Sequence, residues 1–260
     1  MALLTCHFFA ETLRVSTAVS VILPEPAAGQ IGLAGSSSDA PPPVLYLLHG
    51  LSDDETVWTR RTSIERYAAD AGIAVVMPRA GRSFYQDEAY GGAYWTFLSR
   101  ELPAVVERFF RVSTARQDTF VAGLSMGGYG AMRWALTQPG RFAAAATLSG
   151  ALDLAAPSEE SLWAHEVPQV YAGAPVPPAS DLLALLDDAD PAALPALYLA
   201  CGTEDFLIEH NRRFLARAAA RGVPVTTDLH PGTHEWGFWD ATIQDVIAWL
   251  PLRGRTGATA

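Results

Sequence analysis

An α/β fold is what this sequence predicts: a mostly parallel twisted sheet with helices on both faces and an antiparallel pair of strands at its N-terminal edge. Three observations predict it. From about residue 44 onward, short continuous apolar runs alternate with longer segments of helical pattern, as expected of parallel strands buried on both faces. Before residue 24 the chain is instead dense in Thr, Val, Phe and Ile with partial alternation, the pattern of a half-buried antiparallel pair. Finally, 260 residues, 50% hydrophobic and 18% charged, suffice for one sizeable core. The expectation is a single domain over residues 1–260.

Taken in order, residues 3–23 read as two strands joined near Leu13 and Arg14. Residues 25–43, rich in Pro, Gly, Ser and Ala without periodicity, read as an exposed connection. Parallel strands are then expected at 44–48, 73–77, 119–122, 143–148, 196–200 and 225–229. The helices between them are expected at 63–71, 96–110, 127–137 and 207–221, with a terminal one at 238–250. Residues 153–195 break the rhythm, being long for a connection and carrying Pro157, Pro168, Pro175, Pro177, Pro178 and Pro191. This insertion is expected to form a partial lid.

Composition excludes several function classes. With 18 Lys plus Arg against 28 Asp plus Glu, the formal charge of −10 repels phosphate backbones and anionic membrane surfaces, so neither nucleic acid nor membrane is expected as a partner. The chain contains no lysine, which removes Schiff-base chemistry, Ser-Lys dyads and the phosphate-loop lysine. Cys6 and Cys201, far apart, make neither a disulfide framework nor a zinc site, and read as structural thiols. No metal and no organic cofactor is expected. No apolar run approaches the roughly 20 residues that span a bilayer, and the apolar start lacks a basic lead-in and a small-residue cleavage site, so the reading is a cytoplasmic protein. A homo-oligomer is compatible with all of this.

Gly123-Leu124-Ser125-Met126-Gly127 follows an expected strand and opens an expected helix. In that context the G-x-S-x-G pattern is mechanical: a tight strand-to-helix turn holds the serine in a strained conformation with its hydroxyl exposed, and side chains at the flanking positions would collide with neighbouring elements. The helix behind it aims unpaired N–H groups at an oxyanion, one of them from Met126. A serine hydroxyl needs a base, and the base needs a carboxylate to fix its tautomer. His234, in a glycine-bearing loop between the last strand and the terminal helix, is the candidate base. His230, at the end of the preceding strand, is its rival and reads as a tether, while His7, His165 and His210 read as packing or solvated residues. Asp205, just past the carboxyl end of strand 196–200, is the candidate orienter, with Glu204 an adjacent alternative and Asp153 and Asp228 as ordinary carboxylates. The order Ser, Asp, His is that of α/β-hydrolases. A second oxyanion donor is expected from the N–H of Leu51, where Gly50 lets the backbone approach substrate and His49 braces the loop. Losing one such donor costs about 3 kcal/mol of transition-state stabilisation.

These motifs together resemble the putative-esterase family of α/β-hydrolases, which includes tributyrin esterases, S-formylglutathione hydrolases and the antigen 85 mycolyl transferases. The resemblance runs through Leu47-Leu48-His49-Gly50-Leu51-Ser52-Asp53-Asp54 to Trp58, Gly123 to Ala131, Cys201 to Leu207, and Gly232-Thr233-His234-Glu235-Trp236. The segments from Tyr90 to Pro103 and from Ala131 to Asp153 look most like the tributyrin-esterase branch. The cysteine- and asparagine-bearing segment of the formylglutathione branch is not recognisable. The resemblance implies a small-molecule substrate, a short-chain acyl ester, hydrolysed through an acyl-enzyme on Ser125. The alternatives are a formylglutathione-type thioesterase, an acyltransferase using the same residues, or a catalytically silent binding scaffold. Gly50, Trp58, Phe206 and Trp236 are the expected substrate-contacting residues, among aromatics that are otherwise core.

Overall fold

The computed structural model describes residues 1–26, 29, 31, 39–155 and 166–252. Within them the chain folds as an eight-stranded sheet whose strands, in chain order, are β1 (Ala2–Ala10), β2 (Val15–Leu23), β3 (Val44–Leu48), β4 (Ala74–Pro78), β5 (Thr119–Leu124), β6 (Ala144–Leu148), β7 (Ala196–Gly202) and β8 (Val225–His230). The spatial order is β1-β2-β4-β3-β5-β6-β7-β8. The β1–β2 and β2–β4 pairs are antiparallel and the remaining pairs parallel. This is the architecture expected, down to the antiparallel edge and the turn at Arg14, whose φ is +57°.

Both faces of the central strands are buried, which is why their sequences read as unbroken apolar runs. Along β3, Val44, Tyr46 and Leu48 enter one core while Leu45 and Leu47 enter the other, and β7 repeats the alternation with Leu197 and Leu199 against Tyr198 and Ala200. Burying each Val or Leu stabilises by about 1.5–3 kcal/mol, more than the ~1 kcal/mol span of strand propensities, so burial and not propensity sets these strands. The helices are α1 (Val57–Arg61), α2 (Ile64–Ala71), α3 (Tyr94–Thr96), α4 (Leu102–Phe109), α5 (Met126–Thr137), α6 (Glu166–Val170), α7 (Leu182–Asp188), α8 (Ile208–Ala220) and α9 (Trp236–Trp249). One core holds side chains of α4, α5, α7 and α8 and the other those of α1, α2 and α9.

Three departures from the expected elements have physical reasons. The helix expected at 96–110 begins at Tyr94 and passes through a π turn, Phe97–Glu101, before α4. The Leu102 N–H reaches back to the Phe97 carbonyl immediately before Pro103, which has no N–H to continue the ladder. The insertion at 153–195 also carries helices that were not expected. Asp181 caps α7 by accepting from the Leu183 N–H at 2.9 Å, and Leu182 and Leu186, one turn apart, are buried in the α5 side of the core. An Asp cap followed by leucines at helical spacing was the legible signal. The five-residue α1 was likewise not expected; it carries buried Val57 and Trp58. The lid expectation falls in part on residues 156–165, and the connection expected at 25–43 in part on 27, 28, 30 and 32–38; both of these stretches, and with them His165, lie outside the described residues.

What this fold does for a site follows from its registers. Leu48 pairs with Gly123, Leu124 with Leu148, and Gly202 with His230, so the loops after β3, β5, β6, β7 and β8 leave the same edge of the sheet. The chain steps from β3 to β4 on one side and from β4 back past β3 to β5 on the other, so β3 and β5 flank a topological switch point, where α/β sheets gather ligands. No helix among the described residues is long and apolar enough to cross a membrane.

Candidate active site

Ser125 stands between β5 and α5 with φ +53° and ψ −117°, a conformation a residue with a side chain adopts only when its surroundings force it. Here they do. Its N–H donates to the Leu148 carbonyl at 2.9 Å, and its own carbonyl accepts from the Tyr129 and Ala151 N–H groups, each at 3.1 Å. The flanking glycines are required by contact: a Cβ on Gly123 would lie 2.3 Å from the Gly127 carbonyl oxygen, and one on Gly127 would lie 2.5 Å from the Leu48 carbonyl oxygen. Met126 is the first residue of α5, where helix N–H groups have no intrahelical acceptor.

Asp205 and His234 arrive on loops that are chain-distant and pressed together. The Asp205 carboxylate, on a residue only 2% exposed, accepts from the Leu207 N–H at 2.8 Å and from His234 Nδ1 at 2.9 and 3.1 Å. A carboxylate only accepts, so the imidazole proton sits on Nδ1 and Nε2 is left as the basic nitrogen. A Cβ on Gly202 would lie 2.1 Å from the Gly232 carbonyl oxygen, which is how closely the two loops run. Glu204 ties them further. It is exposed, yet its carboxylate accepts from the Gly232 N–H at 2.7 Å, a bond that holds its pKa below the usual range. Sequence reading missed this role, and nothing in local spacing announces it.

The loop after β3 is fixed by the other histidine of the crest. His49 is buried; its Nε2 accepts from the Ala80 N–H at 3.0 Å, so its proton is on Nδ1, which donates to the Gly50 carbonyl at 2.7 Å. Burial pushes the imidazole down to about 4, keeping it neutral in this role. The Gly50 carbonyl also accepts from the Asp53 N–H at 3.3 Å, and across a trans peptide the Leu51 N–H points the opposite way. His49 is thus a brace, as expected. His230 is a tether, as expected: Nδ1 meets Asp228 Oδ1 at 2.9 Å and the ring stacks on Phe238.

Ser125, His234, Gly50, Leu51 and Trp236 line one cavity of about 520 Å³, together with Ser52, Asp53, Leu124, Glu235, Gly237 and Trp239. Two expected substrate contacts do not reach it. Trp58 is 1% exposed, donates from its indole to the Leu48 carbonyl and packs edge-on against Trp236, so it backs the wall and does not form it. Phe206, 52% exposed, lies 4.5 Å from the His234 ring and covers the histidine without lining the cavity. Ser52, Asp53, Leu124, Glu235, Gly237 and Trp239 line the cavity without having been expected there, Asp53 and Glu235 being the charged ones. Cys201 is buried and its thiol is pushed up to about 12 by that burial, which disqualifies it as a nucleophile. Among the described residues no cluster of His, Cys, Asp and Glu is arranged to hold a metal.

The family described as Putative esterase matches residues 11–250 of this chain. An acetyl esterase of Caldicellulosiruptor saccharolyticus is 28% identical over 262 residues, covering 96% of this chain and 98% of that protein. Two solved structures from Staphylococcus aureus are each 34% identical and cover 96% of this chain and 98% of their own. They are the substrate-bound fluorophosphonate-binding serine hydrolase F, with a TM-score of 0.84, and the apo S-formylglutathione hydrolase, with a TM-score of 0.81.

Proposed function

Because this chain belongs to the Putative esterase family, and so is an ester hydrolase of the α/β-hydrolase fold, we propose that it cleaves short-chain acyl esters with Ser125 as nucleophile, His234 as general base and Asp205 as the group that orients the histidine. The observation that carries the reading is the union of a strained, cavity-facing Ser125 with an imidazole that faces the same cavity and is fixed in one tautomer by a buried carboxylate.

In the proposed cycle His234 Nε2 takes the Ser125 proton as Oγ bonds to the acyl carbon, and the charge that gathers on the carbonyl oxygen is met by the N–H groups of Leu51 and Met126. The acyl–oxygen bond breaks as His234 returns the proton to the leaving alcohol. Water then enters by the same route and loses a proton to His234 as its oxygen bonds to the acyl carbon; the acyl–Oγ bond breaks as His234 returns that proton to Ser125, and the acid is released. Asp205 keeps its hydrogen bond from Nδ1 and so steadies the imidazolium. A cavity of about 520 Å³ sharing its wall with two tryptophans is of the size that takes a small-molecule ester. The formylglutathione-type thioester reading is favoured by one observation, the 34% identity to the staphylococcal enzyme of that type. Hydrolysis of p-nitrophenyl acetate, butyrate and octanoate by the wild type and by Ser125→Ala tests the proposal. The expected result is highest turnover on the two shorter esters and its loss in the variant; equal rates in both proteins would sink it.

A further inference from the structure

The cavity at Ser125 is acidic. Among its described lining residues, Asp53 and Glu235 are carboxylates, and the one group able to carry positive charge is His234 itself. Asp53 is held against the loop after β3, its Oδ2 2.9 Å from where a Cβ on Gly50 would stand. Partial burial raises its pKa and the neighbouring Asp54 adds to the rise, with the Gly50 N–H, Arg60 and Arg61 pulling the other way. Neither arginine lines the cavity, and Arg60 bonds to Asp54 Oδ1 at 3.3 Å. Glu235 is the residue directly after His234. The remaining wall beside it is aromatic: Trp236 and Trp239 meet edge to face, ring centres 5.2 Å apart.

The side of the cavity matters. A general acid must reach the atom it protonates, so the leaving portion of the substrate lies beside His234, the same segment that carries Glu235, Trp236 and Trp239. Indole rings and carboxylates attract a cation and leave a neutral group undisturbed, whereas a carboxylate placed there meets like charges, the exposed Glu235 beside it and the half-buried Asp53 across the cavity. The chain's −10 charge acts in the same direction on approach.

Resting on the esterase reading above, we infer that Glu235, with Asp53 across the same cavity adding to its negative field, makes this site selective for the charge of the leaving portion: it accepts esters and thioesters whose alcohol or thiol side is cationic or neutral and rejects those that carry a carboxylate next to the scissile bond.

Three acetyl thioesters separate this from the reading it rests on: acetylthiocholine, its uncharged isostere S-(3,3-dimethylbutyl) thioacetate, and S-acetyl-3-mercaptopropionate, each followed by thiol release. The expected kcat/KM order is cation, neutral, anion, with the anion about tenfold or more below the neutral compound. Asp53→Asn and Glu235→Gln, singly and together, narrow that gap, and added salt compresses it in the wild type. The readout is the ratio between substrates within each protein, so a general loss of activity in a variant does not mimic the effect. A smaller gap, or one that both substitutions leave unchanged, overturns the inference while the esterase reading stands. Failure to cleave even the neutral thioester, or p-nitrophenyl acetate, brings down the esterase reading and this inference with it.

Discussion

His49 and His234 leave the same edge of the sheet, one after β3 and one after β8, and the structure gives them opposite tasks. His49 is sealed among backbone groups, with both nitrogens committed to the Ala80 N–H and the Gly50 carbonyl. His234 commits only Nδ1, to Asp205, and turns the other side of its ring to the cavity that holds Ser125. The difference lies in the partners. Two backbone bonds and full burial make an imidazole an architectural part that resists protonation, whereas one carboxylate and an open edge leave the second ring nitrogen available, as the proposed role of general base requires.

Exchanging the losses at the two sites breaks this comparison most sharply. His234→Ala is expected to lower kcat by about 10³-fold or more while the melting temperature stays near that of the wild type, because the ring's one fixed bond is to a carboxylate that keeps its Leu207 N–H. A collapse in stability instead would make His234 the architectural residue.

Next in size is the pH response of His49. Its pKa falls from 6.5 unfolded to about 4 folded, so between those values the unfolded chain binds the extra proton. The stability contributed by the neutral ring is complete above pH 6.5, declines as pH falls towards 4 and then levels off, a difference of about 3 kcal/mol. His210, also pushed down by burial and accepting the Asp153 N–H at 3.2 Å, adds to the same slope. Denaturant unfolding across this window should show the slope in the wild type and a shallower one in His49→Asn. An unchanged slope would mean that the ring is not held neutral by its burial.

The smallest effect sharpens the picture of the open side. Glu204→Ala removes the acceptor that ties the loop of Asp205 to that of His234. Since small misplacements of a catalytic group cost rate, kcat should drop by up to about tenfold with KM little changed. Glu204→Gln, which keeps an acceptor oxygen, should recover most of it. Equal losses in both variants would assign the effect to charge and not to tethering.

The strands were legible because each is buried on both faces, so β3 lies at 44–48 as expected and β7 was located to within two residues. The pairing of Asp205 with His234 was legible because each follows a strand at the crest of such a sheet. Missed were α7, whose Asp181 cap and leucine spacing were present, and α1, which carries buried Trp58. Trp58 itself was expected at the substrate, in the stretch Leu47 to Trp58 that carries the family resemblance, but a large apolar ring gains most from complete burial, and it sits behind Trp236.

By itself the sequence determined which segments become strands, which faces they bury, and which serine, aspartate and histidine stand at the strand ends, since periodicity and turn chemistry are local and repeat along the chain. Only the tertiary structure decided that Gly202 runs against Gly232, that Glu204 bonds to the neighbouring loop, and that Asp53 and Glu235 face one cavity with Ser125. Those contacts join residues far apart in the chain, and their distances are set by how the loops pack over the sheet, which no local pattern records.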